Sequence, residues 1–262
     1  MKKLFVAGIA AAALWGAPAL AADMPTKAPV YKAAAPYDPW TGFYAGGSIG
    51  ARLSKVDWLS DTFTGAGGPV GGPNNPASLD DTSFRVGGYI GYNVRIAPAW
   101  LAGLEGDIAW GDNKKSVSPF PGTPNPGAGT GGGPTNVDTV KLGWDGSVRG
   151  RLGFLVNPTW LVYATGGVAW QEIKTNSTCG TGGGFCGGGV TVSGTSSTTK
   201  AGWTVGGGVE TALPGNWLAR AEYRYADFGH VNNTLPPALV VGINSTINVK
   251  THTGLFGLAY KF

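Results

Sequence analysis

The sequence predicts an all-β protein: an eight-stranded antiparallel up-and-down transmembrane β-barrel with short periplasmic turns and long extracellular loops. Three observations carry that expectation. The first is strict alternation over segments too long for a soluble sandwich strand. Val140, Leu142, Trp144, Gly146, Val148, Gly150, Leu152, Phe154 and Val156 occupy one face, while Lys141, Asp145, Arg149 and Arg151 fall on the other. After the tight turn Asn157-Pro158-Thr159, a second arm puts Trp160, Val162, Ala164, Gly166, Val168 and Trp170 on one face. The second observation is a tryptophan at each end of an apolar face, ten residues apart, at Trp160/Trp170 and again at Trp100/Trp110. Ten residues rise roughly 33 Å, which a tilt of about 40° projects to ~25 Å, the height of an outer-membrane apolar band. The third is rhythm. Connections are short at 97–99, 157–159 and 214–216 and long at the other four positions.

The chain of 262 residues opens with Met1-Lys2-Lys3, an apolar run from Leu4 to Trp15, and Ala19-Leu20-Ala21. A basic start, an apolar middle and a small-x-small exit describe a secretory signal peptide over 1–21. No later stretch is apolar for long enough to be a spanning helix, so any membrane crossing falls to alternating strands. Residues 22–39, rich in Ala and Pro, read as an extended periplasmic leader, and 40–262 as the barrel. The net charge of +4 includes Lys2 and Lys3; without them 17 basic side chains face 15 acidic ones. No basic stripe marks a nucleic-acid partner. With 46 glycines, 10 tryptophans and 13% charged residues, the composition departs from that of a soluble globular domain.

Taken in order, Trp40 opens the first strand, with Phe43, Ala45, Gly47, Ile49, Ala51 and Leu53 on its apolar face and Arg52 opposite. A Gly/Pro/Asn/Asp loop is expected over about 56–81. The second strand presents Phe84, Val86, Ile90, Tyr92, Val94 and Ile96 against Arg85, Tyr89, Asn93 and Arg95. The third carries Trp100, Leu104, Ile108 and Trp110 against Glu105 and Asp107, and a loop is expected from about 111 to 138. The two arms already described are the fourth and fifth strands, followed by a loop over about 174–198. The sixth sets Trp203, Val205 and Val209 against Lys200, Thr204 and Glu210. In the seventh, Trp217, Ala219, Ala221, Tyr223 and Tyr225 oppose Arg220, Glu222 and Arg224. A loop over about 227–246 leads to the eighth strand, whose Phe256, Leu258, Tyr260 and Phe262 face lipid. An even strand number puts both termini on the short-turn side.

The polar faces define a candidate interior charge network of Arg52, Arg85, Glu105, Asp107, Asp145, Arg149, Arg151, Glu210, Arg220, Glu222 and Arg224, with Arg95, Lys141 and Lys200 on the same faces. An eight-stranded barrel is just wide enough for side chains to fill it, so mixed charges there should pair. Arg149 and Arg151 are expected against Glu105 and Asp107. Such a lumen is either a structural plug or a narrow pore. Pro-then-Trp motifs recur at Trp40, Trp100, Trp160 and Trp217, spaced 60, 60 and 57 residues apart. Together with Trp110 and Trp170, and with Trp203 and Tyr225 at the outer rim, they predict two aromatic girdles.

Cys179 and Cys186, six residues apart in a glycine-rich stretch of an exported chain, suggest a local disulfide. Free thiols or a metal stay open as alternatives, although no further ligand lies nearby. A lipid hydrolase would need a histidine beside a serine. Only His230 and His252 are available, and the neighbours of His252 are Thr251, Thr253 and Gly254. A soluble ligand-binding barrel would need the apolar face inside, lined by tryptophans, and the charges outside. The glycine runs at 87–88 and 206–208 lie within strands and cradle no phosphate.

Motifs along almost the whole mature chain resemble the porin-family, outer-membrane immunogenic β-barrels of alpha-proteobacteria. They are Trp-Thr-Gly-Phe-Tyr-Ala-Gly-Gly at 40–47, Gly-Gly-Tyr-Ile-Gly-Tyr-Asn at 87–93, Leu-Glu-Gly-Asp at 104–107, Arg-Gly-Arg-Leu-Gly-Phe at 149–154, Tyr-Ala-Thr-Gly-Gly-Val-Ala at 163–169, Ala-Glu-Tyr-Arg-Tyr at 221–225 and Ala-Tyr-Lys-Phe at 259–262. The resemblance implies a barrel inserted by the outer-membrane assembly machinery, which reads a C-terminal aromatic signal here formed by Tyr260 and Phe262. It implies outer-membrane lipid and lipopolysaccharide as surroundings, no cofactor and no catalytic residues. Such proteins mostly serve as surface antigens and envelope supports, some with weak porin activity, and loop-mediated surface binding is the alternative role.

Overall fold

The computed structural model describes residues 38–65, 68–71, 77–118, 137–179, 191–234 and 242–262. The predicted signal peptide, nearly all of the leader, and Cys186 with most of its loop lie outside these residues. The strands are β1 (Gly42–Gly65), β2 (Gly68–Gly71), β3 (Ala77–Ala97), β4 (Trp100–Gly111), β5 (Asn113–Val117), β6 (Val137–Asn157), β7 (Trp160–Cys179), β8 (Val192–Ala212), β9 (Trp217–Thr234) and β10 (Gly242–Lys261). Eight of them form a closed antiparallel ring. Sequence neighbours pair successively, and β10 returns to β1 along the register Tyr44↔Lys261 through Thr64↔Gly242. The remaining two are extensions: β2 folds back on β1, and β5 continues β4 beyond Asp112 to pair with β6.

Period-two alternation decides which face is wet. Across the apolar band the outward positions carry the large hydrophobic side chains; Phe43, Ile90 and Phe256 expose 66%, 66% and 69% of their surface. The inward positions carry the charges, with Arg52, Glu105 and Arg149 buried. This arrangement would be unstable in water and fits a bilayer, whose hydrocarbon leaves a strand no solvent partner except its neighbours. It also excludes the soluble ligand-binding barrel, which needs the opposite polarity.

The strands run further than alternation in the apolar band suggests. The loops expected over 56–81, 111–138, 174–198 and 227–246 are partly strand: β1 reaches Gly65, β5 covers Asn113–Val117, β7 reaches Cys179 and β9 reaches Thr234. Beyond the band the polarity of the wall inverts. On β1 the outward series changes from Ile49 and Leu53 to Lys55 and Asp57, while the inward series changes from Arg52 and Ser54 to Val56 and Trp58. Leu79, Val140, Leu142, Ile173, Phe228, Ile247 and Val249 join them in an apolar layer filling the lumen at the long-connection end. Where the outside of the barrel meets water, the inside reverts to an ordinary hydrophobic core.

A register slip near this inversion corrects the expected face of three residues. Val140 and Leu142 point inward, not to lipid, because the β6–β7 register slips between Leu142 and Asp145. Gly143 and Trp144 together oppose the single residue Glu172, and this bulge of one extra residue reverses the phase of the strand. Lys141 is thereby turned outward, where its Nζ lies 2.8 Å from Asp112 Oδ1.

Glycines permit the strands to close around so small a lumen. A Cβ on Gly50, which faces inward on β1, would lie 2.1 Å from the carbonyl oxygen of Gly254 on the adjoining β10. One on outward-facing Gly254 would meet no atom within 4 Å. Gly50→Ala is therefore expected to obstruct the β1–β10 seam at a cost of about 1–3 kcal/mol and to deplete the heat-shifted folded band on an unboiled gel, whereas Gly254→Ala folds as the native chain does. Equal folded yields for the two variants would contradict this account of the seam.

Candidate functional site

The site is the barrel interior, built as three layers from inward positions. At the short-turn end lies an apolar and aromatic layer of Trp40, Tyr44, Tyr89, Leu101, Leu161, Tyr163, Leu218 and Ala259. Trp40 was expected in the outward girdle. It is instead 1% exposed, inside the barrel, and its indole Nε1 donates to the carbonyl of Pro158 at 3.0 Å. The physical reason is that residues 38–41 precede β1 and turn across the barrel end. Asp38 organises this turn, accepting from the backbone N–H of Trp40 at 3.0 Å and from Thr41 Oγ1 at 2.7 Å. Arg95, expected on the same polar face as the network, ion-pairs with Asp38 at 2.8 Å. Burial alone would raise the Asp38 carboxyl, but the hydrogen bonds from Arg95, Thr41 and Trp40 hold it well below the usual carboxylate range.

The middle layer joins all eleven predicted network residues into one connected set of six arginines and five carboxylates. Arg52 bridges to Asp145 at 2.8 Å, and Arg85 bridges Asp145 and, at 2.9 Å, Asp107. Asp107 also meets Arg224 at 3.0 Å and Arg149 at 3.6 Å. Arg224 and Arg149 share Glu222 at 3.0 and 2.6 Å. Glu105 sits at the centre with Arg149, Arg220 and, at 3.9 Å, Arg151 around it, and Arg151 pairs with Glu210. The expected pairing of Arg149 with Glu105 is direct in the register Glu105↔Arg149. Arg151 lies across from Gly103, and its principal partner is Glu210 on β8. Lys200 is half-buried opposite Gln171, which itself accepts from Arg52 at 3.1 Å.

Several members escape a search for charges alone. Tyr44 donates to Glu105 at 2.9 Å and Tyr163 to Glu222 at 2.8 Å. The guanidinium of Arg220 lies 3.6 Å from the ring centre of Tyr89, and that of Arg151 lies 3.9 Å from that of Tyr163. These rings stabilise the arginines as cation–π partners. Their strand parity was the available signal, since all three tyrosines alternate with outward apolar residues. Asn113 gave no such signal because it falls where a loop is expected. It accepts from Arg52 Nε at 2.7 Å and closes the upper edge of the network. A cavity of about 20 Å³ among Arg52, Asp145, Gln171 and Arg224 has room for a single water.

The other girdle residues point outward. Trp100, Trp160 and Trp217 stand at the short-turn rim, where Trp100 contacts Phe154 and Trp217 contacts Tyr260 with ring centres 5.2 and 5.4 Å apart. Trp110, Trp170 and Trp203 stand at the opposite rim, with Trp203 5.3 Å from Tyr225. Phe262 is exposed beside Tyr260, and its backbone N–H donates to the carbonyl of Phe43 at 2.9 Å. His252 faces outward, 2.6 Å from the Tyr223 hydroxyl through Nδ1, and His230 is exposed. Cys179 ends β7, but the disulfide expected with Cys186 lies outside the described residues.

A closed antiparallel ring, apolar outside and ion-paired within, defines the class: an outer-membrane β-barrel protein. The chain belongs to the family described as the outer membrane protein beta-barrel domain, whose model matches residues 7–262. Among its relatives, the 31 kDa outer-membrane immunogenic protein of Brucella melitensis is 33% identical over 268 residues, covering 100% of both chains. The 22 kDa outer membrane protein of Rhizobium leguminosarum bv. viciae is 31% identical over 195 residues, covering 74% of this chain and 66% of that one. The crystal structure of the outer membrane protein OprG from Pseudomonas aeruginosa covers 85% of this chain and 97% of its own at 13% identity, with a TM-score of 0.46.

Two outcomes follow from this interior. Glu105→Ala removes the shared partner of three guanidiniums and is expected to lower folding stability by about 3–5 kcal/mol, while Tyr44→Phe loses only about 1 kcal/mol; urea titration in lipid vesicles measures both. The second concerns Asp138, which lies above the apolar band and faces inward, 2% exposed. Burial pushes its carboxyl from 3.8 up to about 7. The folded chain therefore holds this proton more tightly than the unfolded chain, so stability falls as pH rises through that interval. The native barrel should show a higher urea midpoint at pH 5 than at pH 8, and Asp138→Asn should reduce the difference.

Proposed function

We propose that this protein is a closed structural barrel of the cell surface, with its termini in the periplasm, its long connections extracellular, and at most narrow passive permeation of small solutes. The observation that carries the reading is the continuous ion network held between two apolar layers. Carboxylates and guanidiniums paired with one another leave little net charge for a hydrated ion to bind, and the Trp40 layer and the Val56–Trp58 layer add an apolar barrier at each end. The lipid and lipopolysaccharide of the outer membrane are its surroundings. Tyr260 and Phe262 form the signal for the assembly machinery.

No enzymatic role is proposed. The outward His252 is hydrogen-bonded to Tyr223, and the threonines on either side of it, Thr251 and Thr253, are buried on the opposite face. A second reading, surface binding or antigen presentation by the long connections, is favoured by the immunogenic relatives, because abundant structural barrels display those segments to the outside. It is compatible with a closed lumen.

Recording from purified protein in planar bilayers tests the proposal. The native barrel should show no steady conductance of porin size, whereas the double variant Glu105→Ala/Arg149→Ala, which deletes one charge of each sign at the centre, should show brief openings at least several times more often. A steady porin-sized conductance from native barrels with the heat-shifted band intact would overturn the closed reading.

A further inference from the structure

Just above the outer aromatic rim, three lysines stand in cross-strand register on adjacent strands. Lys114 on β5 is opposite Lys141 on β6, and Lys141 is opposite Lys174 on β7. All three point outward, because their strand neighbours Asn113, Leu142 and Ile173 are buried in the interior. At about 4.8 Å between strands, the row spans roughly 10 Å of wall. Like charges directly opposite one another in a sheet are destabilising. Lys141 Nζ is 2.8 Å from Asp112 and Lys174 Nζ is 3.1 Å from Glu172. One carboxylate oxygen occupies only part of an ammonium that has three donors. The row thus keeps donors for an anion.

Below the row the wall is hollowed. Trp144 and Trp170 head a groove of about 590 Å³ on the outer face, walled by Ile90, Ile108 and Val148 and floored by Gly88, Gly106 and Gly146. The floor faces lipid: a Cβ on Gly106 would come no closer than 3.8 Å to any atom. Going down the barrel from its long-connection end, one strip of wall therefore presents three cations, the two carboxylates of Asp112 and Glu172 that pair with two of them, then indoles, then an apolar furrow. Those heights match the phosphates, the interface and the acyl region of one leaflet.

We propose that this strip binds a phosphorylated, multiply acylated glycolipid of the outer leaflet, with phosphate on the Lys114–Lys141–Lys174 row and an acyl chain over Gly106. The assignment to the outer leaflet rests on the orientation proposed above. Charge complementarity selects an anionic headgroup, and continuity between the lysine row and the groove selects a lipid over a soluble anion. Both parts must act together for specificity: the groove accepts any acyl chain, and the row distinguishes the phosphorylated one.

Native mass spectrometry of the full-length mature barrel, released from nanodiscs holding equal amounts of diphosphoryl lipid A, its dephosphorylated form and phosphatidylcholine, tests this. The native protein should retain the diphosphoryl form at least tenfold over the other two. Lys114→Gln/Lys141→Gln/Lys174→Gln should abolish that preference, and Gly106→Leu, which fills the groove, should reduce retention of every acylated form. The heat-shifted band should persist in both variants. Retention by the triple variant equal to that of the native protein, or no preference in the native protein, overturns the site. A dimer of the native chain that Gly106→Leu dissociates without changing lipid retention assigns the groove to a second copy and also overturns it. Orientation is read separately in intact cells, where a membrane-impermeant amine reagent should modify Lys114 and Lys141; absence of labelling there, with lipid A preference retained in nanodiscs, refutes the orientation and leaves the site standing.

Discussion

A lumen enclosed by eight strands is no wider than the side chains that fill it, and the rest of the structure depends on that limit. Without bulk water to screen them, inward charges must be neutralised by other inward side chains. Glu105 meets this condition at the centre, contacted by guanidiniums from β6 and β9 and by the hydroxyl of Tyr44. Six arginines face five carboxylates, and the remaining positive charge is spread over the faces of Tyr89 and Tyr163. Partners come from β1, β3, β4, β6, β7, β8 and β9, and the pairs Arg52–Asp145, Arg149–Glu222, Arg151–Glu210 and Arg220–Glu105 are ties across the lumen between strands that share no ladder. A buried pair is poor evidence of stability by itself. Here the connected network acts on specificity, because a one-residue slip in any of these strands would turn its charges into the hydrocarbon.

The wall responds to its surroundings by changing which face is apolar. Within the band, hydrocarbon lies outside and charge inside; above it, water lies outside and Val56, Trp58, Leu142 and Ile173 lie inside. Continuous alternation serves both regimes, since only the identity of the two faces is exchanged. The bulge at Gly143–Trp144 sits near this crossover and lets β6 re-phase without leaving the sheet. The network is accordingly sealed from above by hydrophobic packing and from below by the Trp40 turn.

Much of this was legible in the sequence, because alternation is a direct consequence of strand geometry. All eleven network residues, the closed ring and the outward tryptophans from Trp100 to Trp217 follow from parity and spacing. What escaped did so for identifiable reasons. Val140 and Leu142 look like lipid-facing residues until the bulge is known, and no local residue preference announces a bulge. Trp40 shares its Pro-then-Trp motif with three girdle residues, yet it precedes its strand, and a hydrogen bond to Pro158, distant in sequence, turns it inward. The upper parts of β1, β5, β7 and β9 were hidden because apolar-outward alternation ends there and their Ser, Thr, Asn, Asp and Lys content resembles a loop. Tyr44, Tyr89 and Tyr163 had the right parity but carry no formal charge.

The same crossover accounts for the outer surface. Where the outward face stops being apolar, Asp112 and Glu172 come first, and Lys114, Lys141 and Lys174 follow in one cross-strand register on β5, β6 and β7. Solubility in water needs polar side chains there but does not need three of one sign in register, and the sheet would be more stable with alternating signs. Directly inside that part of the wall, the lumen is packed by Val140, Leu142 and Ile173, which alternate with the lysines on the same strands. The inward side chains hold the wall rigid while the outward ones set its charge, so recognition outside and closure inside share strands without sharing residues. Changing the lysine row alters what the surface attracts and leaves the plug intact, and disrupting the network loosens the lumen and leaves the row in register.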